Sequence, residues 1–252
     1  DLRFANDDFR SAERQMSGMR TYGKGGVLGL LLCGCLLVIG CREDGGGTEA
    51  TSMPGVGSEF RTAVVMRDAA GAEQRSETLV RVSASNMIVE GKERVVQFAA
   101  DTLSSLVCYE LDGALSIYMK KGMVAGCEVD ESWLRFPFGQ AIPVDEELLV
   151  RQSILGDSSL SCLASWRAKP DGAETIVVND STYETLRSRG TFQVAEHGRG
   201  DTVWRSQNYV VWYAPTIGYA VREQITSLRI TPTTIDTLGS SERSLLDYRR
   251  ER

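Results

Sequence analysis

The sequence predicts a mainly β protein, an antiparallel sheet with little helix. Three observations lead there. Several separate runs alternate apolar and polar residues with the two-residue period of a half-buried strand. Turn residues interrupt them at roughly ten-residue spacing, as in sandwiches and barrels. No helical stripe of three or more turns appears in the body.

The body is expected over residues 60–240. Thr62, Val64 and Met66 alternate with Ala63, Val65 and Arg67, and residues 68–72 read as a turn. Residues 78–83 form a second strand and Met87-Ile88-Val89 a short third one. Glu90-Gly91-Lys92-Glu93 is a hairpin-like turn before a strand at 94–98. Residues 101–107 fit a helical turn or a strand equally well. The Asp112-Gly113 turn precedes a strand at 115–119, and residues 133–139 form an aromatic run ending in breakers. Residues 160–166 alternate in part, and Lys169-Pro170-Asp171-Gly172 reads as a strong turn. Strands at 175–178 and 190–194 are expected to be joined by a short helix at 183–187. Residues 197–201 are a further turn, 208–213 the clearest strand, and 219–230 its continuation after a bend at Pro215 and Gly218. Residues 240–252 are polar enough to be a frayed helix or a tail, and 241–252 are taken as a C-terminal tail.

Composition excludes some partners. The 252 residues are 42% hydrophobic and 25% charged, ordinary for a globular protein. The formal charge of −6 and the absence of a dense Lys/Arg run argue against nucleic acid, which demands a basic surface.

The N-terminal part reads differently. Residues 1–18 begin with Asp1 and carry no core pattern; they are expected to be a disordered upstream extension, with Met16 and Met19 as candidate starts. From Met19, Arg20 and Lys24 precede an uncharged run over 27–40 that ends at Cys41, and Arg42-Glu43-Asp44 follows at once. The run has the length of a signal h-region and falls short of the ~20 residues a spanning helix needs. Residues 41–59 are rich in Gly, Ser, Thr and acid and are expected to be a flexible tether.

Val38-Ile39-Gly40-Cys41 resembles the lipobox of bacterial lipoproteins, matching it at all four positions. The resemblance implies that residues 19–40 are a signal peptide, cut between Gly40 and Cys41. It also implies that the Cys41 sulfur carries a diacylglycerol and its new amine an acyl chain. Two or three chains anchor stably where one does so only marginally. An ordinary cleaved signal peptide and a short anchor helix are the alternatives. With Arg42 rather than Asp after the cysteine, the resemblance favours the periplasmic face of the outer membrane in a Gram-negative host.

Residues 208–223 read Asn-Tyr-Val-Val-Trp-Tyr-Ala-Pro-Thr-Ile-Gly-Tyr-Ala-Val-Arg-Glu. They resemble a C-terminal segment of many bacterial envelope proteins, among them β-rich domains similar to the LolA-like half-barrels of lipoprotein carriers. Trp133-Leu134-Arg135-Phe136-Pro137 resembles another element of that group. The group's Pro-Gly corner departs here to Pro215-Thr216-Ile217-Gly218. The resemblance implies a strongly curved sheet or half-barrel in the cell envelope, and it brings no catalytic residues.

Enzyme chemistry is poorly represented. His197 is the sole histidine, too few for a His-rich metal site. It could serve a Ser-His-Asp arrangement, but no Gly-x-Ser-x-Gly elbow accompanies it and glycines flank it. Gly45-Gly46-Gly47-Thr48 lacks the lysine of a phosphate loop. Asp130-Glu131 and Glu146-Glu147 read as solvated loop charge, although two distant carboxylates could still form a glycosidase pair. No catalytic residue, metal or cofactor is expected.

Cys33 and Cys35 would leave with the signal peptide, so Cys108, Cys127 and Cys162 remain for an oxidising compartment. A Cys108–Cys127 bridge is favoured because two turns between them let strands return together; it would be worth ~3 kcal/mol. A bridge to Cys162 and three free thiols are the alternatives. Tyr209, Trp212, Tyr213 and Tyr219 are expected either to pack a core or to line a cleft for an apolar ligand. The expected function is a membrane-anchored envelope lipoprotein that binds or carries a hydrophobic ligand or a lipoprotein without catalysis. A structural partner of other envelope proteins is the alternative, and a surface hydrolase resting on His197 a third.

Overall fold

The structure, a computed structural model, describes residues 53–101, 103–124, 127–151, 161–197 and 202–250. The extension at 1–18, the signal segment at 19–40, the Gly40–Cys41 cleavage point and most of the tether lie outside the described residues. So do residues 198–201 of the turn after His197.

The described residues form strands and no helix. In chain order these are β1 (Glu59–Asp68), β2 (Glu73–Val89), β3 (Lys92–Ala100), β4 (Leu103–Tyr109), β5 (Leu115–Met119), β6 (Gly122–Val124), β7 (Cys127–Val129) and β8 (Ser132–Phe136). They continue as β9 (Val144–Leu148), β10 (Val150–Arg151), β11 (Ser161–Val178), β12 (Ser181–His197), β13 (Thr202–Ala214), β14 (Tyr219–Ile230) and β15 (Ile235–Arg249). Twelve strands make one sheet in the order β8-β5-β4-β3-β2-β1-β15-β14-β13-β12-β11-β9, and β10-β7-β6 make a small second one. The mainly β, antiparallel, strongly curved architecture expected from the sequence is the one found.

The curvature nearly closes the large sheet. At one edge the Arg135 carbonyl of β8 accepts a hydrogen bond from the Trp166 indole of β11, at 2.8 Å, near the other edge. Phe136 and Trp166 meet there, 4.7 Å between ring centroids. Bending is concentrated at bulges. Three register shifts separate β2 from β3, with Asn86 and Arg94 at positive φ.

The inner face is packed with rings. Phe60 stacks on Tyr219 at 4.2 Å and on Tyr248 at 4.8 Å. Phe138 meets Tyr213 at 5.1 Å, and Trp166 meets Tyr209 edge-on at 5.7 Å. The Trp166 indole lies so close to Gly190 that a Cβ there would be 2.2 Å from its ring, so β12 needs glycine opposite this tryptophan.

Several expectations are corrected. Residues 183–187 are not helical but lie inside β12, where the hydroxyls of Thr185 and Ser188 donate to carbonyls of Glu174 and Lys169 on β11. Lys169-Pro170-Asp171-Gly172 does not turn the chain. It is a bulge inside β11, with Gly172 at φ +93° and Asp171 held by Arg187 at 2.6 Å and Arg189 at 2.5 Å. The reversal comes at Asn179-Asp180, both at positive φ.

The tail expected at 241–252 is mostly strand. β15 runs to Arg249 and joins β1 to β14, with Leu245 buried and Tyr248 stacked on Phe60. It looked like a tail because its polar side chains form cross-strand pairs, such as Glu242 with Arg222 at 2.7 Å. The run at 87–89 is the end of β2, not a separate strand, and 101–107 resolves into β4. The body also begins earlier than residue 60. The Gly57 amide donates to the Val82 carbonyl at 2.9 Å, and Pro54 is buried with its carbonyl bound by the Ser85 hydroxyl. Residues 53–59 therefore belong to the body rather than the tether.

Candidate functional site

The four rings proposed for a cleft are buried instead. Tyr209, Tyr213 and Tyr219 belong to the ring network above, and Val211 alternates with them on the inward face of β13. Trp212 points the other way. Its indole donates to Glu174 at 2.9 Å, and the Arg222 guanidinium covers its ring at 5.3 Å. They form core and a covered outer patch, so they do not line a cleft. Apolar rings on a closing sheet gain more from one another than from an open surface.

The cysteines pair otherwise than expected. Cys127 of β7 is joined to Cys162 of β11, with Cα atoms 5.9 Å apart, and Cys108 is free and buried. The favoured Cys108–Cys127 pairing fails because Cys108 sits in β4 between β3 and β5, while Cys127 belongs to the small sheet that packs on β11. The Cys108 thiol donates to the Glu93 carbonyl, and burial pushes its pKa up to about 11, which leaves it unreactive.

Inside the sheet one polar pair stands out. Glu223 of β14 faces Arg243 of β15 in direct cross-strand register, with 3.6 Å between Nη1 and Oε2. Glu223 is fully buried, and neither of its oxygens accepts a hydrogen bond among the described residues. Burial raises its pKa to about 7, with Arg243 pulling the other way. Tyr219, also buried, has its hydroxyl pKa raised by the same desolvation. Sequence reading missed this pair, because Glu223 follows an apolar-alternating run in which its inward direction shows only once the register is known.

On the outside, a shallow groove of about 420 Å³ opens where β9 begins. Pro143, Val144 and Ala168 supply apolar surface, and Arg167, Lys169 and Arg189 supply positive charge. Asp145 pairs with Arg167 at 2.8 Å, and Asp171 pairs with Arg189. The three cations come from adjacent strands, since Lys169 faces Arg189 across β11 and β12. With Arg167 and Arg189 each offset by an aspartate, the groove combines an apolar floor with a small net positive charge carried by Lys169. Glu146 and Glu147, read as solvated charge, are exposed on β9. Among the described residues no group of three or more His, Cys, Asp or Glu side chains is placed to hold a metal ion.

No family model matches the chain, and no curated protein does. The chain is similar to a solved structure from Parabacteroides distasonis ATCC 8503 described as a "putative lipoprotein". The sequence identity is 11%, and the match covers 81% of this chain and 100% of that one with a TM-score of 0.43.

Proposed function

We propose that this chain is an envelope lipoprotein, cut before Cys41 and held to a membrane by acyl chains on that cysteine, whose body is a non-catalytic binding module. The observation that carries the anchor is Val38-Ile39-Gly40-Cys41 at the end of an uncharged run, 12 residues before the folded body begins at Met53. In a Gram-negative host the module would stand on the periplasmic face of the outer membrane.

The ring-filled interior supports binding on the outside of the sheet rather than carriage within it. The groove at β9, β11 and β12 fits a hydrophobic ligand with an anionic end. A docking role toward another envelope protein is the second reading, and the same filled interior favours it.

Two experiments test this. Cells fed an alkyne fatty acid are expected to label the unaltered protein. The Cys41→Ser protein should stay unlabelled and larger by the uncleaved segment. Equal labelling of both would overturn the anchor. For the groove, Lys169→Glu combined with Arg189→Glu should weaken binding of a fluorescent fatty acid roughly tenfold, because attraction becomes repulsion at two positions. Unchanged affinity would remove the groove as the binding site.

A further inference from the structure

Strand directions divide the connections of the large sheet between two ends. β1 starts, β15 finishes and the β13–β14 turn lies at one end. The β2–β3 tip, the β4–β5 turn, the β8–β9 connection and the β11–β12 tip share that end. The chain enters the body there too, where Gly57 and Pro54 bind β2.

In each of these four connections, or on the strand end leading into it, a large apolar side chain stands in the open. Leu111 is 91% exposed, Ile142 74%, Ile88 72% and Val177 67%. Leu111 and Ile142 are held as neighbours by Arg135, which donates to the Ile142 carbonyl at 2.9 Å and pairs with Asp112. Beside Leu111 and Ile142 the charges are matched within the protein, Lys92 with Glu110 at 2.6 Å and Arg135 with Asp112, whereas the tips carrying Ile88 and Val177 expose the carboxylates Glu90, Glu93 and Asp180. Leu111 and Ile142 are therefore the pair that can approach a lipid surface at least cost in unpaired charge.

We propose that this end of the sheet rests on a phospholipid bilayer, with Leu111 and Ile142 dipping among the lipids. The proposal deepens the anchored reading above and depends on it. Chain length picks this end over the other. Cys41 and Met53 are separated by 12 residues, which span at most about 43 Å when fully extended. From Ser85, where the chain docks, to Glu73 near the far end, β2 alone measures about 40 Å. The far end also exposes apolar residues, Leu103 and Ile235, but only a fully stretched connection would bring them to the membrane that holds Cys41.

The test uses the full lipidated protein in liposomes of phosphatidylethanolamine and phosphatidylglycerol. Leu111→Cys, Ile142→Cys, Leu103→Cys and Ile235→Cys are each given a nitroxide label. Cys108 is buried and Cys127 is bridged to Cys162, so the introduced thiol takes the label. Labels at 111 and 142 should collide several-fold more with lipid-dissolved oxygen, relative to an aqueous nickel chelate, than labels at 103 and 235. Equal water exposure at all four sites, in protein that floats with the liposomes, overturns the proposal and leaves the anchor standing. Protein that fails to float removes the anchor and the proposal with it. Labels at 111 and 142 that are wet in liposomes but shielded in native envelopes assign this end to a protein partner and overturn it equally.

Discussion

Loss of the Cys127–Cys162 bridge is expected to destabilise the body by about 4 kcal/mol, from the entropy of opening a loop whose ends are 35 positions apart in sequence. The effect is large because the bridge cross-links β7 of the small sheet to β11 of the large one. β6, β7 and β10 are short and hold to one another by few ladder bonds. Cys127 itself is buried, so a reduced thiol there would also leave a core contact loosened. Urea denaturation of Cys162→Ser, and of the unaltered protein with and without reductant, measures this. Cys108→Ser provides the contrast: it should retain the bridge and respond to reductant as the unaltered protein does. A reductant effect that vanishes in Cys108→Ser would assign the bridge to the wrong pair.

Glu223 is expected to make stability fall as pH rises from about 4.5 to about 7. Its carboxyl has an ordinary value near 4.5 in the unfolded chain and about 7 in the folded one. Below about pH 4.5 it is protonated in both states and costs nothing. Between these values the unfolded chain releases the proton while the folded protein keeps it, so unfolding is increasingly favoured. Above about pH 7 the loss is complete, roughly 3 kcal/mol on the two values. Asp171, Glu110 and Glu73 act oppositely and elsewhere. Their carboxyls are held low by Arg189 for Asp171, by Lys92 and Ser116 against desolvation for Glu110, and by Arg75 for Glu73. Their contribution is lost only as pH falls below the ordinary carboxylate range. Chemical denaturation at pH 5 and pH 8 of the unaltered protein and of Glu223→Gln isolates the buried group. The difference between the two proteins should shift in favour of the variant at pH 8. A difference that does not move with pH would show that Glu223 is not titrating in a buried site.

Much of the fold is legible in residue alternation. The runs at 62–67, 115–119, 133–136, 208–213 and 219–230 all lie in strands, because each puts every second residue on an apolar face. What failed was local. Lys169-Pro170-Asp171-Gly172 has turn chemistry, but a bulge uses the same residues, and only the long pairing of β11 with β12 distinguishes the two. Residues 183–187 have helical composition in isolation and are overridden by two ladder neighbours. β15 hid behind polar side chains because the sheet around it supplies their partners.

The sites were less legible than the fold. Arg167 and Lys169 are two residues apart on β11, but Arg189 lies 20 residues beyond Lys169 and meets them only through the register of β11 and β12. Glu223 and Arg243 are likewise 20 residues apart and become a pair only when β14 and β15 align. The bridge required knowing that β7 leaves the large sheet and packs on β11. Cys41 lies outside the described residues, and its proposed role rests on four consecutive residues and the uncharged run before them.

The anchor is tested most directly by mass spectrometry of the N-terminal peptide of protein extracted from membranes. The account requires a peptide that begins at Cys41 and carries a diacylglycerol on sulfur. A peptide that begins elsewhere, or a Cys41 found unmodified, would contradict it.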